Sequence, residues 1–448
     1  MGSIRARLLP PALAIGFAVV LCGLTLLISG SNPFQALGVM IGQVGQGSTA
    51  VDIVNTAASY YFVALAAAIG FQMNLLNIGI EGQYRLAACV AAIVGGSIVL
   101  PPGLHSLVVI LVAALVGAAW VGIAAVLKVY RGVSEVISTI MLNAISLGVI
   151  AYLIRSDMFG ELRGNNIGTA YIPESGQVPG ISFGSSGTVF GLVFLAAALG
   201  VGYWFLMNRT RFGFELRASG MSPTAATAGG VNAKKMILMA MLISGAVAGL
   251  AGLPELLGRD HTFSLNFPAG YGFTGLAVAL LGRNHPVGIA FGALLWAFLD
   301  KSALALDNVG VPREIVTIMQ GAIVLSVVVA YELVRRRELR AQQRQVGRQT
   351  GRIDDDESSR PVVHAGTQVR AAGAEPTTSA GGDRSGSGVG DGRPVATTGD
   401  DPPGPKTDDG GPGPATDDGG PGPATDDGGP GPATDDDPPR PAADGGAS

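Results

Sequence analysis

The sequence predicts an all-α, polytopic membrane protein with about ten transmembrane helices, followed by a disordered C-terminal tail. Three observations carry that prediction. Up to about Arg335 the chain is a succession of apolar blocks, several of them long enough to cross a hydrocarbon core of ~30 Å. Beyond Arg335, Gly, Pro, Asp, Ser and Thr replace almost every large apolar residue, a composition that cannot bury a core. The balance of 14% charged against 48% hydrophobic residues, with a formal charge of −4, averages these two unlike regions and describes neither. The chain thus divides into a transmembrane domain over 1–334, a basic juxtamembrane segment over 335–353 suited to anionic lipid headgroups, and an acidic Gly/Pro/Asp-rich tail over 354–448. Within the tail GPGPATDDG recurs from Gly411 and from Gly420, a nine-residue period with no apolar face to stack, so it is not a solenoid.

Taken in order, the first block is Pro10–Ile28. It follows Arg5 and Arg7 but lacks a convincing small-residue cleavage site, and it reads as an uncleaved span. The others are Val51–Met73, Tyr84–Leu100, Ser106–Leu127, Val133–Ile154, Thr188–Met207, Met236–Leu257, Tyr271–Leu281, Val287–Leu306 and Ile315–Val334. Tyr271–Leu281 is too short to cross as a straight helix and reads as a broken or re-entrant segment, tolerable only when buried in protein. With the N-terminus inside, the cytoplasmic face receives Arg85, Lys128, Arg131, the Asn208–Lys235 loop, Arg283 and Arg335–Arg337. The opposite face receives Ser31–Ala50, Arg155–Gly187 and Gly258–Gly270, where Arg155, Arg163 and Arg259 are offset by Asp157, Glu161, Glu174 and Asp260. This satisfies the positive-inside rule and predicts a polytopic inner-membrane protein with both termini cytoplasmic. The small-residue pairs Gly245/Gly249, Ala248/Gly252 and Gly288/Gly292 predict close helix packing.

One sizeable polar loop, NRTRFGFELRASGMSPTAATAGGVNAKK at Asn208–Lys235, interrupts the apolar blocks. Ser222 and Pro223 read as an N-cap and first helical position, and Gly229 and Gly230 as a stop, giving a very short helix over Thr224–Ala228. So short a helix is marginal alone in water, because nucleation costs more than a turn or two recovers, and it needs a partner surface.

No chemistry of bond-breaking is legible. Gly399–Thr407 fails as a P-loop, since Pro405 precedes Lys406 and no strand–loop–helix context surrounds it. No nucleophile elbow or zincin helix occurs, so the expected role is not enzymatic, with no cofactor bound by this chain and no nucleic-acid partner. Cys22 and Cys89 form no framework, and His105, His261, His285 and His364 have no metal-binding spacing.

Polar residues within or beside the spans are the candidates for a solute path. NLLNIGIEGQYR places Asn77, Glu81 and Arg85 between two spans, and RGVSEVISTIMLN places Glu135, Ser138, Thr139 and Asn143 early in another. Asn77, Glu81, Glu135 and Asn143 are therefore candidate pathway residues, because charge and amide groups in a membrane favour protein or water. Glu81 and Arg85, four apart, could instead pair with each other. Tyr271 and Phe273 could stack on an aromatic solute or simply pack.

NIGIEGQ at Asn77–Gln83, GVSEVISTIMLN at Gly132–Asn143, LRASGMSPTAATAGG at Leu216–Gly230 and GYGFTGLAVALLGRNHPVG at Gly270–Gly288, in that order, resemble the permease subunits of bacterial ABC importers. The superfamily serves branched-chain amino acids, simple sugars and nucleosides, and the similarity is greatest to nucleoside permeases that work with a basic-membrane-protein type lipoprotein. It covers Pro10–Val334. The resemblance implies a permease driven by a separate cytoplasmic ABC ATPase that uses ATP. It also implies a second, non-identical permease subunit and an extracytoplasmic substrate-binding lipoprotein. It further implies that Glu215–Gly230 is a coupling helix docked on the ATPase, with Ala225, Ala226 and Gly229 as its small contact face and Glu215 and Arg217 as flanking charges. A simple-sugar or branched-chain amino acid permease, a secondary transporter and a membrane scaffold are the alternatives.

Overall fold

A computed structural model describes residues 16–164 and 166–330, with Glu332, Leu333 and Arg336. The chain divides into two units, Met1–Val362 and Val363–Ser448, and every described residue belongs to the first. The acidic tail, the start of the first block and, Arg336 apart, the basic juxtamembrane segment lie outside the described residues.

The described residues are mainly helical. Helices α1 (Gly16–Ile28), α2 (Pro33–Val44), α3 (Gly47–Gln72), α4 (Ile80–Ser97), α5 (Leu104–Arg131) and α6 (Glu135–Leu153) come first. After a stretch of short strands follow α7 (Leu192–Arg209), α8 (Arg211–Met221) and α9 (Pro223–Ala228). The domain continues with α10 (Ala233–Asp260), α11 (Tyr271–Leu281), α12 (Pro286–Asp307) and α13 (Arg313–Ala330). Seven of these, α3, α5, α6, α7, α10, α12 and α13, are long and apolar enough to cross a membrane, and α1–α2 would make an eighth if the bent pair is one span. The sequence-based figure of about ten also takes in the blocks that fall on α4 and α11. Helix α4 carries Glu81, Gln83 and Arg85 in its first two turns, and α11 has only 11 residues.

Two elements differ from expectation. Ser31–Ala50 reads as a connection, yet it contains α2, which leaves α1 at an angle of 111°. The local cause is an Asn-Pro start: the Asn32 side chain accepts from the Phe34 N–H at 3.0 Å, and Pro33 takes the first helical position. Ala36 and Met40 then bury against Leu299, Ala303 and Leu306 of α12. Similarly, Arg155–Gly187 holds the antiparallel pair β1 (Gly160–Arg163) and β2 (Asn166–Thr169), and β3 (Ile181–Ser182) pairs with β4 (Thr188–Val189). Helix α7 accordingly begins after residue 188, at Leu192. The offsetting charges of this region form real pairs, Arg155–Asp157 at 2.8 Å and Arg163–Glu161 at 2.7 Å.

Helix α3 is the central post: 89% of its apolar stretch is buried, against 28% in α5, α6, α7 and α13. Around it α5 and α10 touch backbone to backbone through the predicted small residues. A Cβ on Gly249 would stand 2.2 Å from the Ala113 carbonyl oxygen, and one on Gly245 would stand 2.5 Å from that of Gly117. Lipid tails are as apolar as the side chains, so no hydrophobic force drives helices together in a membrane, and this close packing contributes the attraction. Gly249→Val is therefore expected to remove more than ~3 kcal/mol of stability and leave little monodisperse protein on size-exclusion chromatography. A normal elution profile would show that α5 and α10 can separate at little cost.

Candidate functional site

The polar loop folds as two helices rather than one. Thr210 caps α8, its hydroxyl accepting from the Gly213 N–H at 3.1 Å. Ser222 ends α8 and caps α9, accepting from the Ala225 N–H at 3.3 Å, and Gly230 at φ +85° ends α9, close to the expected helix. Arg217 is not a free surface charge, since its guanidinium donates to the Met207 carbonyl at the end of α7, satisfying one of the orphan acceptors there. Ala225 and Gly229 are exposed, Glu215 is half-buried, and Ala226 is buried at 7% exposure. Of the three small residues that the resemblance assigns to the contact face, Ala226 is thus buried where the other two are exposed. The unit is braced: a Cβ on Gly220 would meet the Gln72 carbonyl oxygen at 2.6 Å, and the Asn74 amide donates to the Gly220 carbonyl at 2.7 Å.

From Asn74 the chain runs into the interior, where three of the four candidate pathway residues gather at the start of α4. Asn77 is 2% exposed. Its amide nitrogen donates to Gln83 Oε1 and to Ser244 Oγ of α10, both at 3.1 Å, and its oxygen accepts from the Gly79 N–H and from Gln83 Nε2. Ser244 in turn donates to the Ala66 carbonyl of α3 at 2.7 Å. Asn143 of α6 donates to the Ile78 carbonyl and accepts from the Gly82 N–H, each at 2.9 Å. These two amides hold the 74–80 segment against α3, α6 and α10. Glu135 lies apart, at the α5–α6 turn, 2.5 Å from Lys128 Nζ.

Glu81 does not pair with Arg85. Its Oε1 accepts from the Gly270 N–H at 2.8 Å and its Oε2 from the Gly272 N–H at 2.9 Å, and the Tyr84 hydroxyl donates to Oε1 at 3.0 Å. Helix α11 begins partly buried against α4, and the carboxylate satisfies two of its unpaired N–H groups and complements the positive helix end. Two glycines permit this. Gly270 is left-handed at φ +91°, and a Cβ on Gly272 would lie 2.4 Å from the Glu81 nitrogen. Arg85 Nε is left buried with no hydrogen-bond partner among the described residues.

A second polar group, absent from the sequence-based candidates, adjoins this clasp. Glu255 of α10 is 2% exposed, lies 2.7 Å from the Arg259 guanidinium and accepts from the Tyr271 hydroxyl at 3.4 Å. Tyr271 is edge-on to Tyr60 with centroids 5.1 Å apart and stacked on Tyr84 at 5.7 Å, so it packs rather than offering a free face. Phe273, by contrast, is exposed. Asp300 of α12 lies within reach of the Tyr60 hydroxyl. Helix α10 ends there in a π-helical turn over Leu256–Asp260, a feature found often at functional sites. Charges embedded in LPELLGRD and LLWAFLDKSALALD were the available signal.

Helices that start and stop inside a membrane domain, with buried polar groups at their ends, are a recurring feature of membrane transport proteins. A family model described as "Branched-chain amino acid transport system / permease component" matches residues 49–328. The chain belongs to that family. The guanosine ABC transporter permease protein NupP of Bacillus subtilis is 34% identical over 337 residues, 73% of this chain and 95% of that protein. The nucleoside ABC transporter permease protein NupB of Lactococcus lactis is 31% identical, over 74% of this chain and 93% of that one. The glucose ABC transporter permease protein TsgB13 of Haloferax volcanii is 30% identical, over 70% and 85%. Both bacteria also contribute a second permease protein of matching name, NupQ and NupC, so these relatives come in pairs. No solved structure matches.

Proposed function

We propose that this chain is the membrane-spanning permease subunit of an ATP-driven importer of nucleosides, working by alternating access. The observation that carries the substrate is 34% identity to a guanosine permease across 95% of that protein's length. ATP is bound by a separate cytoplasmic ABC ATPase and no cofactor by this chain. α8 and α9 meet that ATPase, a second and non-identical permease completes the pathway, and an extracytoplasmic lipoprotein delivers the solute. With α4, α11 and the α1–α2 pair counted as crossings, about ten spans result and both termini are cytoplasmic.

The clasp between α4 and α11 supports this reading mechanically. A permease can respond to external work only by shifting between inward- and outward-facing states. The loop, the Gly220–Asn74 bond, the Asn77 network, α4 and the Glu81–α11 clasp form an unbroken series of hydrogen-bonded or close-packed joints. Asp300 and Glu255, deep in apolar helices, are what a self-sufficient secondary transporter would also carry, but family membership outweighs that feature.

A deletion strain complemented with this chain and its partners should restore uptake of radiolabelled guanosine at least tenfold over uptake of glucose or leucine. Restoration of glucose uptake alone would move the assignment to the simple-sugar permeases.

A further inference from the structure

Among the described residues, no other Asp, Glu, Lys or Arg lies as far from both ends of its helix as Asp300. It falls about 20 Å from the Pro286 end of α12 and about 10 Å from the Asp307 end, within the apolar depth of a 22-residue span. Yet its side chain is exposed. In lipid that exposure would be costly, and ionisable groups at such depth face protein or a water-filled cavity.

The direction of exposure is informative. At 3.6 residues per turn, Asp300 lies roughly opposite Phe291, which with Val287 and Leu294 lines an apolar groove of about 790 Å³ against α3 and α7. Helix α12 therefore has two exposed faces. One is apolar, while the other presents Asp300 and, one turn on, Leu304, on the side of Tyr60, whose ring meets Tyr271 and through it Glu255. Tyr60 sits midway along α3, the most buried span. A carboxylate, a phenol and a half-exposed guanidinium supply acceptors and donors for an uncharged polyhydroxylated solute.

We propose that Asp300, with Tyr60 beside it and the Glu255–Arg259 pair reached through Tyr271, is a polar station on the translocation pathway that takes the hydroxyl groups of the solute's sugar. This inference rests on the nucleoside reading above. Asp300 accepts from sugar hydroxyls, while Glu255, held by Arg259 and Tyr271, positions the Arg259 guanidinium.

The test uses membrane vesicles carrying the complete transporter, with Cys22 and Cys89 replaced by alanine. Asp300→Cys should react with a membrane-impermeant thiol reagent, and saturating guanosine should slow that reaction at least fivefold. If Asp300→Cys does not insert, Leu304→Cys on the same face carries the accessibility test, with Phe291→Cys as the control on the apolar face. Asp300→Asn should raise the KM for guanosine uptake at least tenfold with insertion unchanged, and Asp300→Glu should recover part of it. Failure of both cysteines to react, reaction of Phe291→Cys at the same rate, or reaction without solute protection would each overturn the station. Protection by glucose instead of guanosine would leave the station standing and overturn the nucleoside reading, which separates the two claims.

Discussion

Glu81→Gln should cut solute uptake at least tenfold and lower the thermal stability of the purified protein. The carboxylate accepts from the Gly270 and Gly272 N–H groups on separate oxygens, so both are in use. Glutamine keeps one acceptor and turns an NH2 group toward the second donor. A hydrogen bond to a charged group contributes about 1.5–3 kcal/mol, and leaving a buried N–H unpaired costs a comparable amount. Loss of one such bond and of the charge at the helix end should together remove about 3 kcal/mol. Gly272→Ala approaches the same joint from the other side, because its Cβ would stand 2.4 Å from the Glu81 nitrogen and push α11 off α4 while the carboxylate stays. Both variants should reach the membrane in reduced amount, and uptake per inserted molecule should fall further than abundance does. Wild-type uptake and melting in Glu81→Gln would remove the clasp from the mechanism.

Much of this protein was legible in its sequence, for reasons of range. Apolar blocks report span positions because a membrane imposes one length scale on every helix that crosses it. Ser222, Pro223 and Gly229–Gly230 marked α9 because capping is settled within a few residues. Gly245 and Gly249 marked the α5–α10 contact because small residues four apart lie on one helical face. Partner choice across the fold was not legible. Glu81 looked like half of an i,i+4 pair with Arg85, the nearest opposite charge in sequence, but its partners are 189 and 191 residues away. Nothing local marks Gly270 and Gly272 as donors, since that depends on α11 starting against α4. The Glu255–Asp300 group was missed for a related reason: the two carboxylates sit in separate apolar blocks, and only the packing of α3, α10, α11 and α12 brings them to one cluster of tyrosines. Helix α2 escaped because an exposed amphipathic dozen between two blocks carries no signal of its own beyond Asn32-Pro33.

Ala225→Trp should leave the protein inserted and folded while abolishing co-purification with the ATPase and at least nine-tenths of uptake. Ala226→Trp should fail at an earlier stage. The two positions are adjacent in sequence but opposite in burial: Ala225 is on the exposed side of α9, and Ala226 is 7% exposed against the body of the domain. An indole at Ala225 adds bulk only where a docking surface would meet it, and short helices docked in a cleft tolerate little added volume. An indole at Ala226 must displace packed atoms of the domain itself, an overpacking cost of about 1–3 kcal/mol that shows as lost protein before any docking is measured. The charges divide in the same way. Arg217 donates to the Met207 carbonyl, so reversing it unseats α8 from the end of α7. Glu215, half-buried and without an ion-pair partner among the described residues, is the cleaner probe. Glu215→Arg should weaken ATPase association in a salt-dependent way, since an interfacial charge contact is screened as ionic strength rises. A bracing test follows from Asn74, whose amide ties Gly220 to the segment leading into α4. Asn74→Ala should preserve ATPase association while uncoupling its hydrolysis from uptake, because the loop would still dock but would no longer pull on α4. If Ala225→Trp and Glu215→Arg both retain the ATPase and full uptake, the α8–α9 surface is not where the two proteins meet.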